Sequence, residues 1–465
     1  MSLPLIEEAR AGHEFFRFAP IENPPALIPE RKPEAGEQYR FHFDMTKCIG
    51  CKCCEVACNE QNGNPAEIKW RRVGEIEAGN FPFTQRLHLS MGCNHCLDAA
   101  CLTGCPVDAY TKDNLSGLVL HSADACIGCQ YCTWNCPYGV PQFNEERGVV
   151  GKCDMCHGRL EQGREPACVN ACPQGAIAIE IVNIAEWRNT RAAEANAPGM
   201  PDAEATMSTT RITAPAQSQG EFRKGDYHRV RPEAPHWPLV VFLTATQAAW
   251  GVLSFEGNFF FGSALLVLGL AASLAHLGRP IHAARAMKMW RRSWLSREVV
   301  LFTAYAAVLP ILYLRRDAIL PVAALGSLAI YSSARIYMVP ARPAWQSPRT
   351  LAAFWLTGIV FGATAAGMKE LAFAAAATQA LFEISKLWAL NSASEFELRQ
   401  SARLLTQDFR LLFLLRLVLL ASVLLPAPYS LLGIAASEAI GRYLFFVTVV
   451  PRNMAATFSN MERAA

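Results

Sequence analysis

Four cysteines within eleven residues constrain this chain more than any other feature of its sequence. They are Cys126, Cys129, Cys132 and Cys136, and Pro137 follows the last of them. Three thiols separated by two residues each, with a fourth three residues later and then a proline, match the spacing that holds [4Fe–4S] clusters. The first three thiolates fit one loop around one cluster, and the fourth reaches a second cluster where two lie side by side. The spacing predicts that this segment binds iron–sulfur clusters.

Three further cysteine runs repeat or vary this spacing. The four runs use 16 of the 17 cysteines, all of them between residues 48 and 172, and leave Cys53 over. Zinc sites and disulfide frameworks are the alternatives for such a segment. Zinc sites usually take two Cys-x-x-Cys pairs held well apart. Disulfides suit small secreted chains, and the first eight residues lack the basic start and apolar core of a signal peptide. We therefore predict these metal ligands: Cys48, Cys51, Cys54, Cys58, Cys93, Cys96, Cys101, Cys105, Cys126, Cys129, Cys132, Cys136, Cys153, Cys156, Cys168 and Cys172.

Composition divides the chain into five segments. A proline-rich start predicts an irregular arm, a stretch rich in Ala, Pro, Ser and Thr predicts a linker, and an aliphatic surge follows it. The predicted segments are an arm at 1–38, a domain with four [4Fe–4S] clusters at 39–190, a linker at 191–234, a membrane domain at 235–452 and a tail at 453–465.

The cysteine-rich segment predicts an α+β, ferredoxin-like multi-cluster fold. Short strands are expected at Phe41–Asp44, Gly117–His121 and Ala176–Ile181, and further strands between Trp70 and Leu89. Each cysteine run is expected to continue into a short helix. The clusters fill much of the interior, so little hydrocarbon core is needed.

Eight apolar spans follow the predicted linker, and most have the roughly 18–21 residues that a helix needs to cross a bilayer. A soluble helical domain would need polar faces that these spans lack. We predict an all-α polytopic membrane domain with about eight transmembrane helices. The spans are Trp237–Phe255, Phe259–Leu277, Val299–Leu314, Ile319–Tyr337, Leu351–Met368, Leu371–Leu390, Leu411–Leu425 and Tyr429–Val450.

Basic residues between the spans predict the orientation. Fourteen Lys and Arg fall on one side, six of them in the loop between Arg279 and Arg297, against three on the other. Basic loops stay in the cytoplasm. With an even number of spans, the cysteine-rich segment is expected on the cytoplasmic face of the inner membrane. The formal net charge of +3 gives no sign of nucleic-acid binding.

The histidines predict what meets the clusters at the membrane. Only His276 of the ten histidines lies within a span, so a haem held by facing histidines is not expected. Electrons would then pass to or from a lipid-soluble carrier, most simply a quinone, near the cysteine-rich segment. His276 and Glu298 flank the basic loop and are the candidate quinone residues, with Arg279 helping to hold charge. The alternatives are a helix-end histidine reaching water and a charge at the start of a span.

Two further pairs of residues allow either a structural or a functional interpretation. Glu438 and Arg442 are one helical turn apart and are expected to pair with each other rather than to form a proton path. Trp134 and Tyr138 are interpreted as packing beside the clusters rather than as an electron relay.

Several motifs resemble one family. They are Ser90-Met-Gly-Cys-Asn-His-Cys96, Cys136-Pro-Tyr-Gly-Val-Pro-Gln142 and Lys152-Cys-Asp-Met-Cys156, followed by His236-Trp-Pro-Leu-Val240, His276-Leu-Gly-Arg-Pro280, Ser293-Trp-Leu-Ser-Arg-Glu298 and Ser437-Glu-Ala-Ile-Gly-Arg442. Residues 39–181 resemble the four-cluster iron–sulfur subunit of the dimethyl sulfoxide reductase family. Residues 235–450 resemble its membrane-anchor subunit. The two subunits, usually separate, are fused here.

The resemblance implies cross-pairing of the cysteine runs, the first with the fourth and the second with the third. It also implies quinol chemistry at His276 and a molybdopterin-containing catalytic partner, since this chain holds no recognisable substrate site of its own. The implied cluster sets are Cys48, Cys51, Cys54 with Cys172; Cys153, Cys156, Cys168 with Cys58; Cys93, Cys96, Cys101 with Cys136; and Cys126, Cys129, Cys132 with Cys105.

The sequence thus predicts the electron-transfer and anchor subunit of a quinone-linked oxidoreductase, not catalytic for the substrate by itself. Its partner would reduce a sulfoxide-like acceptor or oxidise a sulfur oxyanion such as sulfite, and the predicted cytoplasmic orientation tilts the choice toward oxidation. The alternatives are a membrane-tethered polyferredoxin without a quinone site and an ion- or proton-translocating module driven by the clusters.

Overall fold

The computed structural model describes residues 26–78, 85–197, 200–215, 223–224 and 230–452. Most of the predicted arm (1–25), part of the predicted linker and the predicted tail (453–465) lie outside the described residues. The described residues between 26 and 224 are called the cluster domain below, and residues 230–452 are called the anchor domain.

Short strands make up much of the cluster domain. They are confirmed at the three predicted positions and, as a hairpin, between Trp70 and Leu89. The strands described are β1 (Glu37–Asp44), β2 (Arg72–Ala78), β3 (Gln85–Met91), β4 (Tyr110–Lys112), β5 (Val119–His121), β6 (Gln142–Asn144), β7 (Val149–Gly151), β8 (Ile177–Asn183), β9 (Arg211–Thr213) and β10 (Arg223–Lys224).

The cysteine runs continue into short helices, as predicted. In two runs the loop has the same backbone: Gly50 and Gly128 adopt positive φ angles of 71° and 68°, and Lys52 and Gln130 follow at 60° and 58°. These left-handed turns wrap the polypeptide tightly before the helix begins. The helices are α1 (Cys53–Asn62), α2 (Ala100–Gly104), α3 (Tyr131–Asn135), α4 (His157–Glu161), α5 (Ala167–Asn170) and α6 (Ile184–Asn189).

The segment after α6 packs on the cluster domain. Strand β9 pairs in parallel with β1, and β1 pairs on its other edge with antiparallel β8. Ala192, Ala195 and Ala203 are fully buried. The described residues of the predicted linker between 191 and 213 therefore form a layer of the cluster domain, because a third strand completes the sheet.

Glu180 on β8 fixes this layer electrostatically. Its carboxylate accepts hydrogen bonds from Arg211 on β9 and lies 2.9 Å from Arg40 and 3.0 Å from His42. Burial raises the pKa of Glu180, but the hydrogen bonds of His42 and Arg211 and the charge of Arg40 outweigh burial and lower the pKa to about 2.

The anchor domain is helical. Its described helices are α7 (Trp237–Ser254), α8 (Phe259–Ala275), α9 (Trp294–Leu314), α10 (Ile319–Tyr337), α11 (Pro348–Ala365), α12 (Lys369–Asn391), α13 (Phe396–Arg403), α14 (Arg410–Leu420) and α15 (Tyr429–Val447). Tighter or wider turns complete them: 3₁₀ segments at Pro280–Met287, Arg316–Ala318 and Ala421–Leu424, and a π segment at Leu404–Asp408.

Helices coincide with all eight predicted spans, but fewer qualify as membrane spans by length and composition. Within the described residues, α7, α9, α10 and α15 are long and apolar enough, and α8 joined to the 3₁₀ segment Pro280–Met287 across a 107° bend makes a possible fifth. The charged residues of α12 and the eleven-residue length of α14 explain part of the difference. The protein is a membrane protein with four to five apolar candidate spans, and the number eight stays a prediction.

Candidate functional site

The cysteines group into sets of four. Two cavities of the cluster domain are each lined by three cysteines of one run and one of another. Set 1 is Cys48, Cys51, Cys54 and Cys172, and set 3 is Cys93, Cys96, Cys101 and Cys136. These are two of the four sets that the family resemblance implies.

The remaining eight cysteines form the other two implied sets. Within each set, the side chains lie close enough to interact electrostatically. Cys58 neighbours Cys168, Cys156 and Cys153, and Cys105 neighbours Cys126 and Cys129, which in turn neighbour Cys132. Set 2 is Cys58, Cys153, Cys156 and Cys168, and set 4 is Cys105, Cys126, Cys129 and Cys132.

The four sets form a row. Neighbouring pairs are Cys132 with Cys101 between sets 4 and 3, Cys93 with Cys153 between sets 3 and 2, and Cys168 with Cys54 between sets 2 and 1. Set 4 lies against the anchor domain. Set 1 lies at the other end, where Cys51 is exposed.

The chemistry of these sets fits iron–sulfur clusters. Among the described residues, no three His, Cys, Asp or Glu side chains are grouped closely enough to hold a single metal ion, whereas a [4Fe–4S] cluster needs one thiolate at each corner. Backbone N–H groups donate to the sulfurs, which favours thiolates. These bonds run from His95 to Cys93 (3.5 Å), Ala109 to Cys105 (3.3 Å), Gly128 to Cys126 (3.4 Å), Met155 to Cys153 (3.4 Å) and Ala176 to Cys172 (3.3 Å).

Two buried cations stand among the sets. Arg71 is 1% exposed, has thiols of sets 1 and 2 around it, and has no hydrogen-bond partner for Nε or Nη2 within the described residues. Lys152 is 3% exposed and lies among thiols of sets 2 and 3. An uncompensated buried cation is costly. Negatively charged clusters would compensate both.

A second site lies where set 4 meets the anchor domain. A largely apolar cavity of about 520 Å³ is lined there by Cys129 and Trp134 of the cluster domain and by His276, Glu298 and Tyr337 of the anchor domain. We call it the interdomain cavity. The structure thus brings together the two residues, His276 and Glu298, that the sequence analysis singled out.

Both residues present an unsatisfied polar atom. His276 caps the C-terminus of α8, and Glu298 lies in the first turns of α9 with 6% exposure. From the sequence, Glu298 was expected at the start of a span, but α9 begins earlier, at Trp294, so the carboxyl group is inside the bundle. Within the described part of the chain, neither Nε2 of His276 nor Oε1 of Glu298 has a hydrogen-bond partner. Buried polar atoms normally have one.

Arg279 does not line the interdomain cavity. Its backbone N–H donates to Ile127, and its Nη1 donates to the carbonyl of Ala123 at 2.9 Å. The side chain therefore joins the two domains, and its predicted role in holding charge beside His276 has no support in this geometry.

Trp134 was missed by the sequence analysis as a site residue. It belongs to α3, between Cys132 and Cys136, yet it packs into an aromatic group of the anchor domain and lines the interdomain cavity. Its ring centroid lies 6.2 Å from His276, 5.2 Å from His236 and 5.8 Å from Tyr337. A tryptophan inside a cysteine run was the only signal available.

His236 is a second residue that was missed. It precedes α7, and its ring lies 5.5 Å from that of His276. Burial and the charge of Arg342 lower the pKa of His236 to about 4. His236 is therefore neutral near pH 7.

Close backbone contact fixes the cluster domain against this cavity. Gly278 donates to the carbonyl of Gly128 at 3.3 Å, and Arg279 donates to Ile127 at 3.1 Å. Gly148 packs against both glycines. Polar contacts extend the interface, with Arg292 2.7 Å from Asp108. The cysteine loop of set 4 and the basic loop after α8 therefore share one face.

Glu438 and Arg442 do not pair as predicted. The hydroxyl of Thr357 stands between them, donating to Glu438 at 2.6 Å and accepting from Arg442 at 2.9 Å. The nearest cation to Glu438 is Arg416 on α14, at 3.9 Å. Helical spacing alone did not show that a second helix, α11, would supply the bridging group.

Comparisons with known proteins identify the family. Residues 84–181 match the family model of the 4Fe-4S dicluster domain, and residues 240–447 match that of the DMSO reductase anchor subunit (DmsC). Over 180 residues the sequence is 37% identical to an anaerobic dimethyl sulfoxide reductase chain of Haemophilus influenzae, a match that covers 37% of this chain and 86% of that protein.

The protein belongs to the dimethyl sulfoxide reductase family. It is also 37% identical over 190 residues to the probable anaerobic dimethyl sulfoxide reductase chain YnfG of Escherichia coli, which covers 39% of this chain and 91% of that protein. A sulfite dehydrogenase subunit of Allochromatium vinosum is 36% identical over 160 residues, 30% of this chain and 67% of that protein. In this member of the dimethyl sulfoxide reductase family an iron–sulfur electron-transfer domain is fused to an anchor domain, as the motifs indicated.

Proposed function

We propose that this chain is the electron-transfer and membrane-anchor subunit of a quinone-linked molybdopterin oxidoreductase. The observation that carries the proposal is the interdomain cavity, where a thiol of set 4 shares one apolar space with two unsatisfied proton-handling groups. A tethered polyferredoxin would need no such cavity.

The proposal assigns one [4Fe–4S] cluster to each of sets 1 to 4. When bound, these clusters supply four one-electron carriers in a row. The protein's part is to hold sixteen thiolates in place, to donate backbone N–H groups to their sulfurs and to set two buried cations, Arg71 and Lys152, among them.

The quinone head would bind in the interdomain cavity. His276 Nε2 would hydrogen-bond one quinone oxygen, since imidazole both donates and accepts near physiological pH. Glu298 would exchange the proton that accompanies the electron. The apolar walls, which include Trp134 and Tyr337, suit the ring and the first part of an isoprenoid tail. Trp134 would hold His276 in position by lying against its ring.

A catalytic partner would dock at the opposite end of the row. Around set 1 the surface carries exposed Ile49 (60%) and Val56 (62%) beside the exposed Cys51. Exposed apolar side chains next to a redox centre favour a protein partner there. The relatives named above are parts of a dimethyl sulfoxide reductase and a sulfite dehydrogenase, so the partner's substrate is proposed to be a sulfoxide or a sulfur oxyanion, with either direction of electron flow open.

The proposed setting is the inner membrane, crossed eight times. The asymmetry of basic residues favours the cytoplasm for the cluster domain. Contact between the cluster domain and the basic loop supports a common face for both. Reporter fusions at the C-terminus would test the orientation: activity of a reporter that works only outside the cytoplasm would reverse it.

The quinone site is tested by His276→Ala in the purified complex. Reduction of the clusters by an artificial donor should stay at the wild-type level, because the substitution leaves their ligands intact. Turnover with a soluble quinone analogue should fall by about 10²-fold or more, the scale for losing a positioned proton-transfer group. His282→Ala is the matched control, since His282 lies six residues further along the same face and outside the interdomain cavity. Wild-type quinone turnover in His276→Ala would move the site elsewhere on this face.

A further inference from the structure

A second cavity, separate from the interdomain cavity, lies among α11, α12, α13, α14 and α15. Its volume is about 190 Å³, and it shares no lining residue with the interdomain cavity. Four cations line it, Arg349, Lys386, Arg416 and Arg442, together with one carboxylate, Glu383. We call it the cationic cavity.

Positive charge exceeds negative charge around the cationic cavity. Glu383 pairs with Arg416 at 2.9 Å, and Glu438, just behind the wall, lies 3.9 Å from the same guanidinium. Two carboxylates thus stand against four cations. Charge inside a membrane bundle is costly unless it is compensated. Within the described residues, Arg349 and Lys386 have no carboxylate of their own in this arrangement.

The two deepest cations are incompletely satisfied. Arg416 and Arg442 are 5% and 4% exposed. Arg442 donates Nη2 to three neutral oxygens, those of Gln247, Thr357 and the carbonyl of Ala353. In the part of the chain that the structure describes, Nε of neither arginine has a hydrogen-bond partner. Buried guanidinium groups normally have their donors filled, so these donors remain available to an acceptor in the cavity.

The fold makes room for this arrangement. Gly441 lines the cavity, and a Cβ there would come within 2.5 Å of Nε of Arg416. A glycine at this point of α15 is what lets Arg416 extend across the helix. Residues 343–350, which precede and begin α11, form one wall on the side of the basic loops.

We propose that the cationic cavity binds an anion of the phosphate class, held by the guanidinium groups of Arg416 and Arg442 and by Lys386 and Arg349 nearer the basic face. Guanidinium groups favour phosphate because their donors match its oxygens in pairs. The phosphate belongs to an anionic phospholipid headgroup or to free phosphate, and both carry the same acceptor oxygens. In a membrane protein the headgroup layer lies at the level of such basic residues.

Two probes separate the sources. The purified complex in neutral detergent would be titrated with inorganic phosphate by equilibrium dialysis and with short-chain phosphatidylglycerol by native mass spectrometry. The proposal expects one stoichiometric site for at least one probe, and the probe that binds names the source. Lys386→Gln should weaken that binding about tenfold, the order expected for one charge-assisted hydrogen bond.

Lys369→Gln is the matched control. Lys369 begins the same helix, α12, about 25 Å from Lys386 by helical rise, and it is exposed. Its substitution should leave binding unchanged. Absence of a stoichiometric site for both probes, or equal affinity in wild type and Lys386→Gln, would overturn the proposal and favour a water-filled polar path. Quinone turnover in Lys386→Gln reports separately on the interdomain cavity and should be unaffected.

Discussion

Gly278→Ala is expected to slow electron exchange between the cluster domain and quinone without removing any ligand. A Cβ on Gly278 would lie 2.7 Å from the carbonyl carbon and 2.8 Å from Cα of Gly148, and closer still to its carbonyl oxygen. Carbon atoms pack at about 3.5–4.0 Å. The backbones of the two domains must therefore move apart by about 1 Å, because no flexible side chain is present to give way.

The energetic cost follows from the same contacts. Overpacking of this kind costs about 1–3 kcal/mol. The separation also strains the hydrogen bonds from Gly278 to Gly128 and from Arg279 to Ile127, each worth about 1 kcal/mol. If both hydrogen bonds are lost, the interface should lose about 3–5 kcal/mol in total. Tunnelling rates fall exponentially with distance, so set 4 would then deliver electrons to the interdomain cavity more slowly.

The assay compares two rates in the same preparation. Reduction of the clusters by an artificial donor should be unchanged, while quinone-dependent turnover should fall. Gly158→Ala is the control, since a Cβ there meets nothing within 4 Å. Wild-type quinone turnover in Gly278→Ala, with unchanged thermal stability, would refute the view that close backbone contact sets the transfer distance.

Three further substitutions test other parts of the structure. Cys129→Ser should lower or convert the iron content of one cluster of the proposed four, and iron analysis that finds only two clusters, or stoichiometric zinc, in the wild type would contradict the ligand assignment. Glu180→Gln should destabilise the cluster domain by about 1–3 kcal/mol in denaturant titrations at pH 6–8. Because the folded pKa of Glu180 is lowered to about 2, this contribution is fully present above the unfolded pKa of about 4.5 and is lost as the pH falls toward 2. Equal stability of variant and wild type at pH 7 would show that Glu180 does not stabilise the packing of β9 on the sheet. Arg71→Gln should lower the potentials of the clusters at sets 1 and 2 by on the order of 50–100 mV in redox titrations, the effect of one charge at roughly 8–10 Å in an effective dielectric of about 20, while Arg86→Gln, at a 61% exposed side chain, should leave them unchanged.

The sequence was sufficient wherever chemistry depends on local spacing. The cysteine runs predicted their short helices, and the strands at Phe41–Asp44 and Ala176–Ile181 appear as β1 and β8. His276 and Glu298 were predicted because they flank the basic loop, and because His276 is the only one of the ten histidines within a predicted span. Both line the interdomain cavity.

Contacts between distant segments could not be predicted in the same way. Trp134 reaches residues more than a hundred positions away, and its environment depends on how two domains dock. Arg279 has the positive charge expected of a residue that stabilises negative charge beside His276. However, its backbone N–H donates to the carbonyl of Ile127, and this hydrogen bond holds it against the cluster domain. Thr357 separates Glu438 from Arg442 because α11 packs against α15, which one helix's periodicity cannot indicate.

The pairing of β9 with β1 has a consequence for how tightly the two domains must bind each other. Because β9 and β10 both pair with strands of the cluster domain, only the residues between 224 and 237 connect that domain to α7, and docking is a unimolecular event. A short connection of this kind holds its ends at an effective concentration on the order of millimolar. An interface with a micromolar intrinsic dissociation constant would then be occupied about 99.9% of the time. Selection can therefore act on the distance that the glycine contact and the surrounding polar groups set between the domains, and not on their affinity. Two separate subunits at cellular concentrations would also need a high affinity for each other.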